Sequence, residues 1–136
     1  MDCIFCQIVG GQAASHRVYE DEEVLAFLDL FPVSPGHVLV IPKVHAVDIL
    51  DLPEASAEAV ARVSRRLAHA IDEALQPDGL HVEQRNGAAA GQTVFHYHMH
   101  LIPRSKGVRP GRHGAVPTAP EEMAKIASLI VGALKH

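Results

Sequence analysis

In the stretch VFHYHMHLIPR (residues 94–104), His96, His98 and His100 recur at every second position. A gap of one is the period of an extended strand, whose successive side chains point to opposite faces. On a helix the same residues would lie roughly 200° apart around the axis and would not converge. The spacing therefore predicts a strand with Phe95, Tyr97, Met99 and Leu101 on a core face. The other face would carry imidazoles roughly 7 Å apart, and Pro103 would close the run. One histidine in such a strand reads as an ordinary half-exposed position; three in register read as a chemical surface. Imidazole is a nucleophile, proton carrier or metal ligand near neutral pH, and the rest of the chain must decide among these.

Other residues of chemical interest are Cys3 and Cys6 in a C-x-x-C spacing, His37, His45, and the small-residue loop GAAAGQT (87–93) that leads into the histidines. His16, His69, His81 and His136 read as surface or incidental. Two cysteines without an export signal suggest free thiols in a reducing compartment. MDCIFCQIVG has no basic n-region or long apolar stretch, so the cytoplasm is the expected location.

With 136 residues the chain is expected to form one domain, 1–136, with one core. Its 48% hydrophobic and 21% charged content is ordinary for a globular chain. A formal charge of −4 argues against nucleic acid as a partner, since phosphate affinity depends on basic charge. It leaves room for a pocket that takes one nucleotide. Apolar runs such as 38–41 are too short to span a bilayer, so no membrane partner is expected.

The elements that must position the histidines follow from pattern. RVYED (17–21) and EVLAFLDL (23–30) read as short strands, and HVLVIP (37–42) as a buried strand ended by Pro42. From Pro53 to Leu75, Val60, Val63, Leu67, Ile71 and Leu75 recur at three and four, which predicts a helix. Asp51 is placed to cap it, and QPDG (76–79) to stop it. LHVEQRN (80–86) alternates as a strand. SKGVRPGRHGAVP (105–117) reads as a loop, and Thr118 with Glu121 has capping-box spacing for a last helix, 120 to about 134. The sum is an α+β fold: about five antiparallel strands, one long central helix and a C-terminal helix.

GQTVFHYHMHLIPR resembles the His-φ-His-φ-His-φ-φ signature of the histidine triad (HIT) superfamily. CIFCQIVGG, YEDEEVLAFLDLFPVSPGHVLVIPKVH and RNGAAAGQ fall in the order and approximate spacing of its Hint-type branch. The resemblance runs from Cys3 to Arg104. It implies nucleotidyl transfer through a covalent histidine intermediate, with His98 as nucleophile at the α-phosphorus. His100 and His37 match residues flanking the phosphate, and either is a candidate to protonate the leaving group. Gly91, Gln92 and Thr93 match the phosphate-contacting loop. Asp29 matches a ribose-binding carboxylate, and Asn86 a second polar contact near ribose and phosphate. Phe5, Ile8, Phe27 and Leu30 match apolar walls of a base pocket, where purine is favoured by stacking area.

The resemblance also implies a structural zinc on Cys3, Cys6, His45 and His96, since four protein ligands leave no open site. Hint-type relatives are homodimers, and the Ala-rich long helix is compatible with that, as are edge contacts from Leu25 to Leu30. Arg85 stands where many relatives carry an additional Asn, and Ala13–Ala14 where an Ile–Pro pair is common. Arg104, Lys106, Arg109, Arg112 and His113 make a basic loop that could meet further phosphates or simply be solvated.

The leading expectation is a nucleoside phosphoramidase or nucleotidyl hydrolase acting on a purine nucleoside 5′-phosphoryl compound. A dinucleoside polyphosphate hydrolase of the Fhit type is the alternative within that class. Two others remain: metal-dependent hydrolysis with the three histidines as ligands, and a nucleotide-binding regulator with incidental turnover.

Overall fold

The computed structural model describes residues 3–107 and 118–134. In chain order its elements are helix α1 (Ile4–Val9), strands β1 (Arg17–Glu20), β2 (Val24–Leu28) and β3 (Val38–Pro42), and helix α2 (Glu54–Leu75). Strand β4 (Gly79–Glu83), a 3-10 turn (Ala88–Ala90), strand β5 (Met99–Arg104) and helix α3 (Pro120–Ala133) follow. The five strands form one antiparallel sheet in the order β1-β2-β3-β5-β4. This is the α+β architecture expected from the sequence. Among the described residues, no helix is long and apolar enough to cross a membrane.

Alternation divides the sheet between two cores. Val24, Ala26, Leu28, Val38, Val40 and Leu101 face α2 and α3, where Val60, Val63, Leu67, Ile71, Met123 and Ile130 meet them. Leu25, Phe27, Leu39 and Ile41 face the opposite side, against Phe5 and Ile8 of α1. Both faces of β2 and β3 are thus covered, which is why these segments are continuously apolar instead of alternating. Fully buried Leu67 lies at the centre of α2. Truncating it to alanine would cost about 2–5 kcal/mol.

Several local expectations are corrected. The N-cap of α2 is Pro53, without a side-chain cap bond. The Asp51 carboxylate instead accepts from the Val47 N–H at 2.9 Å, stabilising the preceding loop. Helix α3 starts from Ala119 with Pro120 behind it and has no capping-box bond from Thr118. Leu25 to Leu28 belong to β2, which is flanked by β1 and β3, so this segment is not a sheet edge. Helix α1 (Ile4–Val9) has no counterpart in the sequence pattern, because six residues are too few to show a period.

The histidine segment differs too. Pairing begins only at Met99, because the Tyr97 N–H donates to the Ala46 carbonyl at 2.7 Å and bends the chain before β5. Tyr97, Met99 and Leu101 still reach the helix-side core. Phe95 does not; it is 47% exposed.

Candidate active site

The histidine-bearing face of β5 opens into a cleft of about 440 Å³ on the side of the sheet that α2 and α3 leave uncovered. Three elements build it. Strand β5 and the residue before it supply His100 and His98; β3 supplies Leu39, preceded by His37; and the 91–94 loop crosses the opening. Helix α1 sets Phe5 edge-on to His98, with ring centroids 5.1 Å apart. Gly36 lets the chain turn into His37: its φ is +89°, and a Cβ there would lie 2.3 Å from Leu75 Cδ1.

Hydrogen bonds determine which nitrogen of each imidazole carries the proton. His98 Nδ1 is 2.7 Å from the His96 carbonyl. A carbonyl only accepts, so Nδ1 carries the hydrogen and Nε2 the lone pair. The Val33 N–H donates to His37 Nδ1 at 3.1 Å, so His37 is protonated on Nε2. That Nε2 lies 2.9 Å from His100 Nδ1, which must accept, leaving the His100 hydrogen on Nε2. Burial, and then the neighbouring His98 and His37 rings, push His100 down to about 3, against the pull of Asp29 and Glu83. His100 is therefore a neutral hydrogen-bond donor near pH 7.

His96 faces elsewhere. Its Nε2 donates to the Pro42 carbonyl at 2.8 Å, which turns Nδ1 toward Cys3 Sγ at 3.4 Å and Cys6 Sγ at 3.6 Å. His45 Nδ1 lies 3.2 Å from Cys6 Sγ. The C-x-x-C spacing works because Cys3 is the N-cap of α1 and Cys6 lies one turn on, its N–H donating to Cys3 Sγ at 3.3 Å. The four ligand atoms all lie within 4.8 Å of one another. Tetrahedral zinc with bonds of about 2.3 Å to sulfur and 2.0–2.1 Å to nitrogen requires ligand atoms roughly 3.3–3.8 Å apart. The donor set fits zinc in chemistry, and three of its pairs, at 3.2, 3.4 and 3.6 Å, lie close to that spacing. Burial and the adjacent Cys3 sulfur push the Cys6 thiol up, so a cation would relieve crowding that otherwise keeps it protonated.

This arrangement separates the three histidines. Among the described residues, no metal-ligand cluster contains all three. That removes the geometry needed for a tri-histidine metal hydrolase.

The remaining expected residues divide. Asp29 lines the cleft and is buried. Its Oδ1 accepts from the Phe31 N–H at 2.8 Å, and its Oδ2 lies 3.6 Å from His37 Nε2. Gly91 and Thr93 also line the cleft. Gln92 does too, but its side chain is spent inside the protein. Its Oε1 accepts from the Gly87 N–H at 2.7 Å, and its Nε2 donates to the Val47 and Val94 carbonyls at 2.6 and 3.1 Å. Its amide is thus directed at backbone groups, away from the phosphate contact that the resemblance implies. Asn86 does not line the cleft; it accepts from the Ile49 N–H at 2.8 Å and pairs with the Gln84 amide. Of the expected base-pocket walls only Phe5 borders the opening. Ile8 and Phe27 are buried in the core behind it, and Leu30 is half exposed outside it.

Sequence reasoning missed Leu39, Val33 and Val94 as apolar walls, and His81 and Glu83 of β4; Arg85 and Arg104, singled out from the sequence, also line the cleft. Alternation from His37 signalled Leu39. The placing of His81 and Glu83 depends on the β4–β5 register, which sequence did not provide. Arg109, Arg112 and His113 of the basic loop lie outside the described residues, and Lys106 is exposed.

Residues 10–107 match the HIT domain family model. "Protein hit" of Bacillus subtilis is 44% identical over 133 residues, covering 95% of this chain and 92% of that protein. The crystal structure of a Zn-bound histidine triad family protein from Mycobacterium smegmatis is 40% identical, with a TM-score of 0.87 over 98% of this chain and 93% of that one. An Arabidopsis thaliana relative, adenylylsulfatase HINT3, is 39% identical over 105 residues, 77% of this chain and 53% of that protein.

Proposed function

The chain belongs to the HIT domain family, and on that premise we propose that it is a nucleotidyl hydrolase acting through His98. Its substrates are purine nucleoside 5′-phosphoramidates or related nucleotide conjugates, and it releases the nucleoside monophosphate. The observation that carries this reading is the His98 Nδ1–H bond to the His96 carbonyl, which puts the lone pair of a cleft-lining imidazole on Nε2. In the first step Nε2 forms a bond to the α-phosphorus, and the bond to the leaving group breaks with its electron pair; the nitrogen of a phosphoramidate takes up a proton from solvent so that it leaves as an amine. The Nδ1–H···O bond stabilises the cationic ring that results. Water then attacks phosphorus, loses a proton, and the P–N electron pair returns to Nε2. His100 Nε2–H and the Thr93 hydroxyl support the phosphate oxygens, where charge builds up, and Gly91, without a side chain, lets the loop come close. Asp29 accepts from ribose, with Phe5, Leu39 and Val94 against the base. The adenylylsulfatase name of the Arabidopsis relative supports an adenylyl-type substrate.

Cys3, Cys6, His45 and His96 would hold one zinc. Bound there, with no open position, it would supply structural bracing only. The zinc-bound Mycobacterium structure supports this. The working unit is a single-domain protomer in a homodimer. In support, β4 is an edge strand, and Val82, Ile49, Leu50 and Phe95 are exposed apolar residues.

The test is His98→Ala, which should fold and bind nucleoside monophosphate yet lose at least about a thousandfold in turnover. Wild-type protein quenched in acid during turnover should carry one nucleoside monophosphate on His98. Near-normal turnover by His98→Ala would refute the reading.

A further inference from the structure

At the end of the cleft away from Phe5, the wall is built by alternation on two paired strands. His100, Ile102 and Arg104 share one face of β5. Register sets His81 opposite Ile102 and Glu83 opposite His100, so the imidazole face continues across β4 to Arg85, two residues further on. Glu83 holds Arg85 by one side only: Nε donates to Glu83 Oε2 at 2.9 Å. The guanidinium then lies against the loop that crosses the cleft, with Nη1 3.5 Å from the Gly91 carbonyl. Contact is so close that a Cβ at Gly91, whose φ is +93°, would meet Nη1 at 2.8 Å. Arg104 also lines the cleft, but its register opposite Gly79 sets it beyond Ile102, at the other end of β5 from Arg85. Burial works to raise Glu83, but the bond and charge of Arg85, then His100 and His81, bring it below the ordinary carboxylate value. It stays ionised and orients Arg85. The cleft's other carboxylate, Asp29, lies beside His37.

We infer that Arg85, held by Glu83 against the Gly91 loop, forms a leaving-group subsite that selects nucleoside 5′-phosphoryl substrates whose leaving group departs as an oxyanion. The inference rests on the hydrolase reading above and narrows it. As the His98 Nε2–P bond forms, the P–O bond breaks and its electron pair stays on the departing phosphate, sulfate or carboxylate. That charge meets a planar fork suited to two oxygens. An amine leaving group would instead need a proton, and a neutral His100 is a poor source of one.

The experiment compares wild type with Arg85→Gln and Arg85→Lys, which alter a partly exposed side chain. Turnover is measured on diadenosine polyphosphate, adenosine 5′-phosphosulfate and adenosine 5′-phosphoramidate. Binding is measured for AMP and for ADP with a methylene bridge, which does not hydrolyse. Arg85→Gln should lower the kcat/KM ratio of the anionic substrates to the phosphoramidate about tenfold to a hundredfold, the range for a charge-assisted bond. It should also erase the extra affinity of the bridged ADP over AMP, and Arg85→Lys should fall between. The better of the two anionic substrates identifies phosphate or sulfate as the source. Turnover of all three with an unchanged ratio overturns the subsite and leaves the hydrolase standing. An Arg85-dependent preference for bridged ADP without any turnover supports the subsite and overturns the hydrolase. Wild type that binds neither nucleotide overturns both.

Discussion

Gln92 gives the sharpest contrast between what resemblance implies and what geometry does. Family likeness aims its amide at substrate phosphate, whereas here both amide hydrogens go to the Val47 and Val94 carbonyls and the oxygen takes the Gly87 N–H. The side chain is buried, at 4% exposure, so removing it leaves three backbone groups in poor reach of water. At about 0.5–1.5 kcal/mol for each net bond, Gln92→Ala should lose roughly 2–4 kcal/mol of stability. Gln92→Glu should lose more at pH 7, since a carboxylate can keep the Gly87 contact but confronts two carbonyls without a hydrogen to give. Its protonated form can give one. The introduced carboxyl therefore has a raised folded-state pKa, and its penalty should shrink as pH falls toward about 4, the ordinary glutamate value. Urea unfolding of the three proteins at pH 7 and pH 5 measures both effects. If both variants stay within about 0.5 kcal/mol of wild type while nucleoside monophosphate affinity drops, Gln92 serves the ligand and the geometric argument is wrong.

Purified protein should contain about one zinc per chain, and Cys6→Ser should lose it with a lower melting temperature; metal-free protein of undiminished stability would remove the zinc reading. The unfolded chain should hold a proton at His100 below about 6.5 that the folded chain gives up until about 3, so this ring's contribution to stability is present above that window and fades as pH falls through it. After discounting for its solvent contact the effect is roughly 2–4 kcal/mol. His100→Gln should flatten the unfolding free energy between pH 6.5 and 4 relative to wild type, and parallel curves would contradict the burial argument. Asp29→Ala should weaken nucleoside binding by about 1–3 kcal/mol and do so less for 2′,3′-dideoxy ligands; equal losses would assign Asp29 to the Phe31 turn alone.

Local periodicity was enough for α2, whose expected span of 53–75 meets Glu54–Leu75, and for β3, expected at 37–42 and found at Val38–Pro42. It also put Tyr97, Met99 and Leu101 in the core, although strand pairing starts only at Met99. Periodicity says nothing of how far a regular element extends when a distant carbonyl, here that of Ala46, captures an N–H. The caps expected from Asp51 and Thr118 failed for a related reason: a side chain that suits a helix end also suits a loop, and in this chain Asp51 serves the loop. Within the site, the residues converging on His98 were legible because strand spacing and family likeness agreed. Glu83 was not, nor was its hold on Arg85 beside His100, because that depends on which strand lies beside β5 and in what register.

The position of β5 also has a kinetic consequence. It is the last strand in the chain, yet it lies inside the sheet, with Val38 opposite Leu101 on one side and Glu83 opposite His100 on the other. The pairing with β3 closes a loop of about sixty residues and is entropically slow compared with the β2–β3 hairpin or the turns of α2. During synthesis β1 to β4 leave the ribosome first, with one position of the sheet still vacant. Insertion of β5 completes the sheet, on which α3 then packs, and aligns the histidines in the same event. Recovery of activity on refolding should therefore follow the slowest phase, because no partly paired sheet lacking β5 has its nucleophile in place.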